Sequence, residues 1–231
     1  MNRTEEFLDL YRELESVASN TYEIQSGGGV ISRVMRRPEF KHIRSELDYI
    51  RDVRNLLAHR PRIGDEYAVE PTEAMIELLK KTIDRVSHPS IAENIMVKRA
   101  DVFCCSKTDQ IFAAVREMYQ RTVSHLPILE DGRVIGVFSD NRWIRCTISG
   151  EYHLTEESTF SEIEKELDLD NQEKERFLFT DWNTPVDELS DVFEEASKKG
   201  EKIGMIFVTE HGKRTEKLLG IITAWEVAAA F

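Results

Sequence analysis

The sequence predicts an α+β chain: an N-terminal helical bundle followed by a tandem pair of β-α-β-β-α repeats. Three observations carry this. Every periodic segment before Ser87-His88-Pro89-Ser90 has helical spacing. After Pro89 short apolar runs alternate with helical ones. The order of elements then recurs once, and repeats outrank single motifs as a guide to fold.

The helical part opens at Thr4-Glu5-Glu6-Phe7-Leu8, and its first helix runs towards Val17. Gly27-Gly28-Gly29 breaks the chain. A short helix covers Val30 to Met35. Pro38 suits the first turn of a long helix through Phe40, Ile43, Leu47, Ile50 and Leu57. That helix stops near Arg60, because Pro61 drives the preceding residue out of the α region. Pro71 and the run Met75, Leu78, Leu79, Ile83, Val86 mark another helix.

Beyond Pro89, Val102-Phe103-Cys104-Cys105 reads as a strand and Thr108 to Tyr119 as a helix. Leu126-Pro127-Ile128-Leu129 and Val134-Ile135-Gly136-Val137-Phe138 are strands around a Glu130-Asp131-Gly132-Arg133 turn. A helix starts near Ser139-Asp140. The stretch Glu151 to Glu175 is acidic and reads as a solvated helix or connector. The order then returns: strand Phe177-Leu178-Phe179, helix Pro185 to Ala196, strands Met205 to Val208 and Leu218 to Ile222, helix Trp225 to Ala230. Ile111 matches Val186 at an offset of 75, and Glu130-Asp131-Gly132 matches Glu210-His211-Gly212 at 80. Gly136-Val137-Phe138-Ser139 matches Gly220-Ile221-Ile222-Thr223 at 84. The growing offset places the extra residues in loops, mainly Lys213 to Glu216. Each repeat, roughly 55 to 60 residues, is too small to bury both faces of a sheet, so the two must share one.

Composition narrows the classes. The 231 residues carry 31 Lys plus Arg, 43 Asp plus Glu and a net charge of −12. No apolar run approaches the roughly 18 residues that span a bilayer, and Glu5, Glu6 and Asp9 exclude a secretory signal within the first ten residues. Cys104, Cys105 and Cys146 have neither disulfide-framework nor zinc spacing, which points to a reducing, cytoplasmic setting. Residues 33–62 hold nine basic and four acidic side chains, net +5, a strip that would attract RNA despite the global acid excess or else a solvated helix face. The six histidines show no metal-ligand spacing, and no P-loop, GxGxxG or Gly-x-Ser-x-Gly element occurs.

His125-Leu126-Pro127-Ile128 with Gly136-Val137-Phe138-Ser139, then Gly220-Ile221-Ile222-Thr223 with Glu226, resemble a tandem pair of cystathionine-β-synthase-like (CBS) domains, the Bateman module. Glu93-Asn94-Ile95-Met96 is similar to the segment that leads into such modules. The resemblance implies domains at 91–150 and 176–231, joined by an acidic connector at 151–175 and preceded by a helical domain at 1–88. It also implies a regulatory adenine ligand such as AMP, ADP or ATP in clefts between the repeats, with no cofactor required. In the family a Ser or Thr after the glycine strand contacts phosphate, and an Asp three residues later holds the ribose hydroxyls. Ser139 and Thr223 fall on the first position. Glu226 falls on the second and keeps a carboxylate; Arg142 takes its place in the first repeat, and an arginine accepts no hydroxyl hydrogen bond but can hold a phosphate. A plainer reading stands beside this one: Thr223-Ala224-Trp225-Glu226 is also a capping box, and Ser139 an ordinary N-cap.

In the helical part, about 100° per residue puts Arg54 in the middle of the stripe formed by Ile43, Leu47, Ile50 and Leu57. A charge there needs a partner or a ligand. Arg54-Asn55-Leu56-Leu57-Ala58-His59 is similar to the RNxxxH element of HEPN domains, helical bundles that dimerise and, in active members, cut RNA without a metal. The resemblance implies that Arg54 holds the scissile phosphate, His59 transfers protons and Asn55 orients the pair, with the 2′-hydroxyl as nucleophile. The alternative is an ion pair from Arg54 to an acid of a neighbouring helix, such as Glu13 or Glu77. Two functions are therefore in view. One is a nucleotide sensor whose helical domain is a scaffold or binds partners. The other is a nucleotide-gated, metal-independent ribonuclease. Both imply a homodimer.

Overall fold

The computed structural model describes residues 2–24, 29–37, 40–59, 67, 69–171 and 175–231; of His59 it describes the backbone. Gly27, Gly28, Pro38, Arg60, Pro61 and Arg62 lie outside the described residues. The fold is α+β, a helical unit Met1–Ser90 followed by a mixed unit Ile91–Phe231.

The first unit holds α1 (Arg3–Thr21), α2 (Val30–Val34), α3 (Arg44–His59) and α4 (Glu73–Ser87). Asn2 caps α1 and Thr72 caps α4, each through its side-chain oxygen. One stripe from each helix forms the core: Phe7, Tyr11 and Leu14; Ile31 and Val34; Leu47, Ile50 and Leu57; Ile76, Leu79 and Val86. α1 runs a turn beyond its expected end, and Phe40 lies in a turn ahead of α3 rather than inside it. Phe40 is buried with its ring edge-on to Tyr22 at 5.1 Å, while Tyr22 donates to the Val86 carbonyl at 2.9 Å.

The second unit opens with α5 (Ala92–Ile95) and β1 (Val97–Lys98). The first repeat continues with α6 (Ile111–Arg121), β2 (His125–Glu130), β3 (Arg133–Ser139) and α7 (Asp140–Ile148). β2 and β3 form a hairpin whose turn residues Asp131 and Gly132 have φ of 51° and 80°, the handedness that matches strand twist. The expected strand at 102–105 is reduced to a parallel bridge from Cys105 to Ile128, flanked by amide-to-carbonyl bonds between Cys105 and Pro127 and between Leu129 and Cys105. The second repeat contains β4 (Arg176–Asp181), α9 (Val186–Lys198), β5 (Ile203–Thr209), β6 (Gly220–Ile222) and α10 (Ala224–Ala229). Its sheet runs β1-β6-β5-β4, so the strand that leads into the first repeat is an edge of the second repeat's sheet.

Between the repeats the chain is more than a solvated connector. A 3₁₀ turn at Phe160–Ile163 leads into α8 (Glu164–Leu167), and Phe160, Ile163 and Leu167 are buried among Ile111, Met118, Leu126 and Phe138. Apolar side chains of both hairpins meet in a shared core of Leu129, Val134, Val137, Met205, Phe207 and Leu218. That is the joint face which repeats of this size require. Among the described residues no helix is long and apolar enough to cross a membrane.

Candidate functional site

Two strand-to-helix junctions are the sites singled out by the sequence. At the first, β3 ends at Ser139, whose Oγ accepts from the Arg142 amide at 3.4 Å and so starts α7. Ser139 is 2% exposed. Arg142 does not face solvent: its Nη1 lies 2.9 Å from Glu166 Oε2, and the two side chains are 7% and 8% exposed. Glu166 also accepts from the Tyr152 hydroxyl at 3.3 Å and lies 3.5 Å from Arg145 Nε. Burial raises the neighbouring Cys146 thiol to about 11; the Glu166 carboxylate adds to the rise and Arg142 opposes it. Burial and the same carboxylate also push the Tyr152 hydroxyl above its ordinary value.

The second junction is built differently. β6 ends at Thr223, and the capping box is formed: Glu226 Oε2 accepts from the Thr223 amide at 2.8 Å and from its hydroxyl at 2.5 Å, while Thr223 Oγ1 accepts from the Trp225 amide. Thr223 and Glu226 are half-buried, and Trp225 between them is 83% exposed. Beside β6 in the same sheet runs β1, with Val97 paired to Ile221 and Lys98 to Gly220.

In the helical unit Arg54 is half-buried, as its place on the stripe predicts. Its guanidinium lies 5.4 Å from the Tyr11 ring centroid, and Nη1 donates to Asn55 Oδ1 at 3.3 Å. Among the described residues no carboxylate lies within ion-pair distance of Arg54; neither Glu13 nor Glu77 takes that role. Arg51 on the same helix is held by Asp48 and, at 3.6 Å, by Asp52. The histidine of the motif ends α3.

Glu166 escaped the sequence reading because it lies in a run of acids. The spacing Phe160, Ile163, Leu167 was the signal that this run has a buried face. A second unread cluster joins the repeats: Glu175, whose side chain is 4% exposed, accepts from His125 Nε2 at 2.7 Å and from Lys202 Nζ at 2.5 Å. A polar cleft of about 670 Å³ lies among Ile135, Tyr152, Lys165, Asp168 and Arg214, away from Ser139 and Thr223. Among the described residues no group of His, Cys, Asp and Glu is placed to hold a metal ion.

Residues 92–146 match the family model described as CBS domain. The match spans α5 to α7 and so covers the first repeat. Solved structures similar to this chain include the CBS domain pair of protein MJ0100 in complex with 5′-methylthioadenosine and S-adenosyl-L-methionine. It is 14% identical, with 62% of this chain and 97% of that one covered and a TM-score of 0.44. CBSX2 in complex with AMP is 17% identical, with 61% and 94% covered and a TM-score of 0.45. A conserved protein from Pyrococcus horikoshii is 22% identical, with 62% and 92% covered and a TM-score of 0.43. No curated protein matches the chain.

Proposed function

We propose that this is a regulatory protein whose two repeats, at 91–150 and 176–231, act as a CBS pair that senses an adenine nucleotide and controls the helical domain at 1–88, which scaffolds or binds a partner. The observation that supports it is the second junction, where a hydroxyl and a carboxylate stand 2.5 Å apart at the open end of a strand. Thr223 supplies a donor for a phosphate oxygen, and Glu226 supplies the acceptor that a ribose diol needs. The capping box competes with the ligand for the same carboxylate, so binding would exchange one set of hydrogen bonds for another. We place the protein in the cytoplasm as a homodimer. The test is a thermal-shift and calorimetry screen with AMP, ADP and ATP. A ligand at 100 times its Kd stabilises the fold by about 2.7 kcal/mol. Glu226→Ala should abolish the shift, and no shift with any adenine compound would end the sensor reading.

A second reading rests on Arg54, a half-buried cation whose polar neighbour is Asn55 and not an acid. In it the helical domain is a metal-independent ribonuclease, with Arg54 on the scissile phosphate, Asn55 orienting and His59 in proton transfer, gated by the nucleotide. RNA cleavage by the native chain that His59→Ala abolishes would establish this reading.

A further inference from the structure

Gly136 and Gly220 hold the same place in the two hairpins, three residues before Ser139 and Thr223. A Cβ on Gly136 would stand 2.6 Å from the Leu167 carbonyl oxygen and 2.8 Å from the Leu167 Cβ. A Cβ on Gly220 would stand 2.6 Å from both the Val97 carbonyl oxygen and Met96 Sδ. Each glycine thus lets another segment pass close to its strand, the end of α8 at Gly136 and the start of β1 at Gly220. Beside the second junction that segment reads Ile95-Met96-Val97, apolar throughout. Behind the first it reads Lys165-Glu166-Leu167, and Glu166 turns inward onto Arg142.

We infer that the first junction is filled by the chain's own Arg142–Glu166 pair, so that the unit takes one adenine nucleotide per chain, at Thr223 and Glu226, and not one at each junction. The ligand rests on the reading above; the asymmetry rests on geometry. Arg142 and Glu226 are each the third residue of the helix that leaves their junction, yet one is a donor-only guanidinium and the other an acceptor. A phosphate that reached Arg142 would have to displace Glu166 and leave a buried carboxylate without its main counter-charge, the costly way to break such a pair. Ser139 is 2% exposed where Thr223 is half-buried, so the hydroxyl of the first junction is covered as well.

Calorimetry of the full chain with AMP and with ATP tests the count. The expected result is one site per chain, lost in Glu226→Ala and retained in Ser139→Ala. Two sites per chain, or a site that survives Glu226→Ala and disappears in Ser139→Ala, overturns the inference. If no adenine compound binds, the sensor reading falls and takes the ligand half of the inference with it. The filled junction is then judged by thermal denaturation of Arg142→Gln, Glu166→Gln and the double variant. Each single change should lower Tm by roughly 6 °C or more, and the double by less than their sum. Additive losses of a degree or two would show that the pair does not hold the junction.

Discussion

Arg54 and Tyr11 meet face on between α3 and α1, the guanidinium 5.4 Å from the ring centroid, and this contact takes the place of an ion pair at the centre of the helical unit's apolar stripe. A cation on an aromatic face contributes about 0.5 to 2 kcal/mol. A stranded buried acid would cost about 3 to 5 kcal/mol. Arg54→Ala should therefore destabilise the chain by about 1 kcal/mol, read from chemical denaturation. Burial pushes the Tyr11 hydroxyl up to about 12 and Glu15 adds to the rise, while Arg54 opposes it. The same variant should move Tyr11 ionisation further up in a spectrophotometric titration, and a downward shift would contradict the contact.

Gly220→Ala is expected to cost about 1 to 3 kcal/mol, the usual range for overpacking. The new methyl group meets the Val97 carbonyl as well as the Met96 side chain, and backbone cannot rotate away as a thioether can. Because Gly220 pairs with Lys98, the loss should include faster amide exchange along β1 and β6. Unchanged exchange there would count against the close approach.

Glu175 gives a pH prediction. Burial alone would raise its carboxyl, but hydrogen bonds from Lys202 and His125 outweigh that and hold it below the ordinary carboxylate value. A depressed folded pKa contributes stability that is fully present above the unfolded value of about 4.3 and is lost as pH falls through the folded value. The Tm difference between the native chain and Glu175→Gln should thus be constant near neutrality and shrink below about pH 4. A difference that widens in acid would refute this linkage.

Assembly is tested by light scattering at micromolar concentration. Tyr119, Ile148 and Trp225 are 87%, 77% and 83% exposed, an apolar cost that a two-fold dimer would relieve. The expected mass is about twice 26.8 kDa; a species of 26.8 kDa alone would rule the dimer out.

The repeat was legible because side-chain period and turn chemistry are local. Asp131-Gly132 marks its hairpin, and the capping box at Thr223 is visible as a four-residue pattern. Less legible was everything set by long-range pairing. Cys105 borders β2 through a single parallel bridge to Ile128, a pairing that its apolar neighbours alone do not specify. Arg142 stands out in the sequence as a cation where its motif calls for a carboxylate, but its partner Glu166 lies 24 residues on, within a stretch whose charge masks its apolar spacing. Of the RNxxxH element, the half-buried position of Arg54 followed from the helix period, whereas its seat on Tyr11 needed the fold of α1 against α3.

The placement of β1 beside β6 has a consequence for biosynthesis. The first strand of the mixed unit to leave the ribosome waits, unpaired, until nearly the whole unit has been made, because its hydrogen-bonding partner β6 is that unit's last strand. The four-stranded sheet of the second repeat therefore stays incomplete until β6 has been made. Closing so long a loop is slow, and until it closes β5 offers a bare flank to other nascent chains. A chain cut short before Gly220 lacks β6, which leaves β1 and one edge of β5 without their hydrogen-bonding partner.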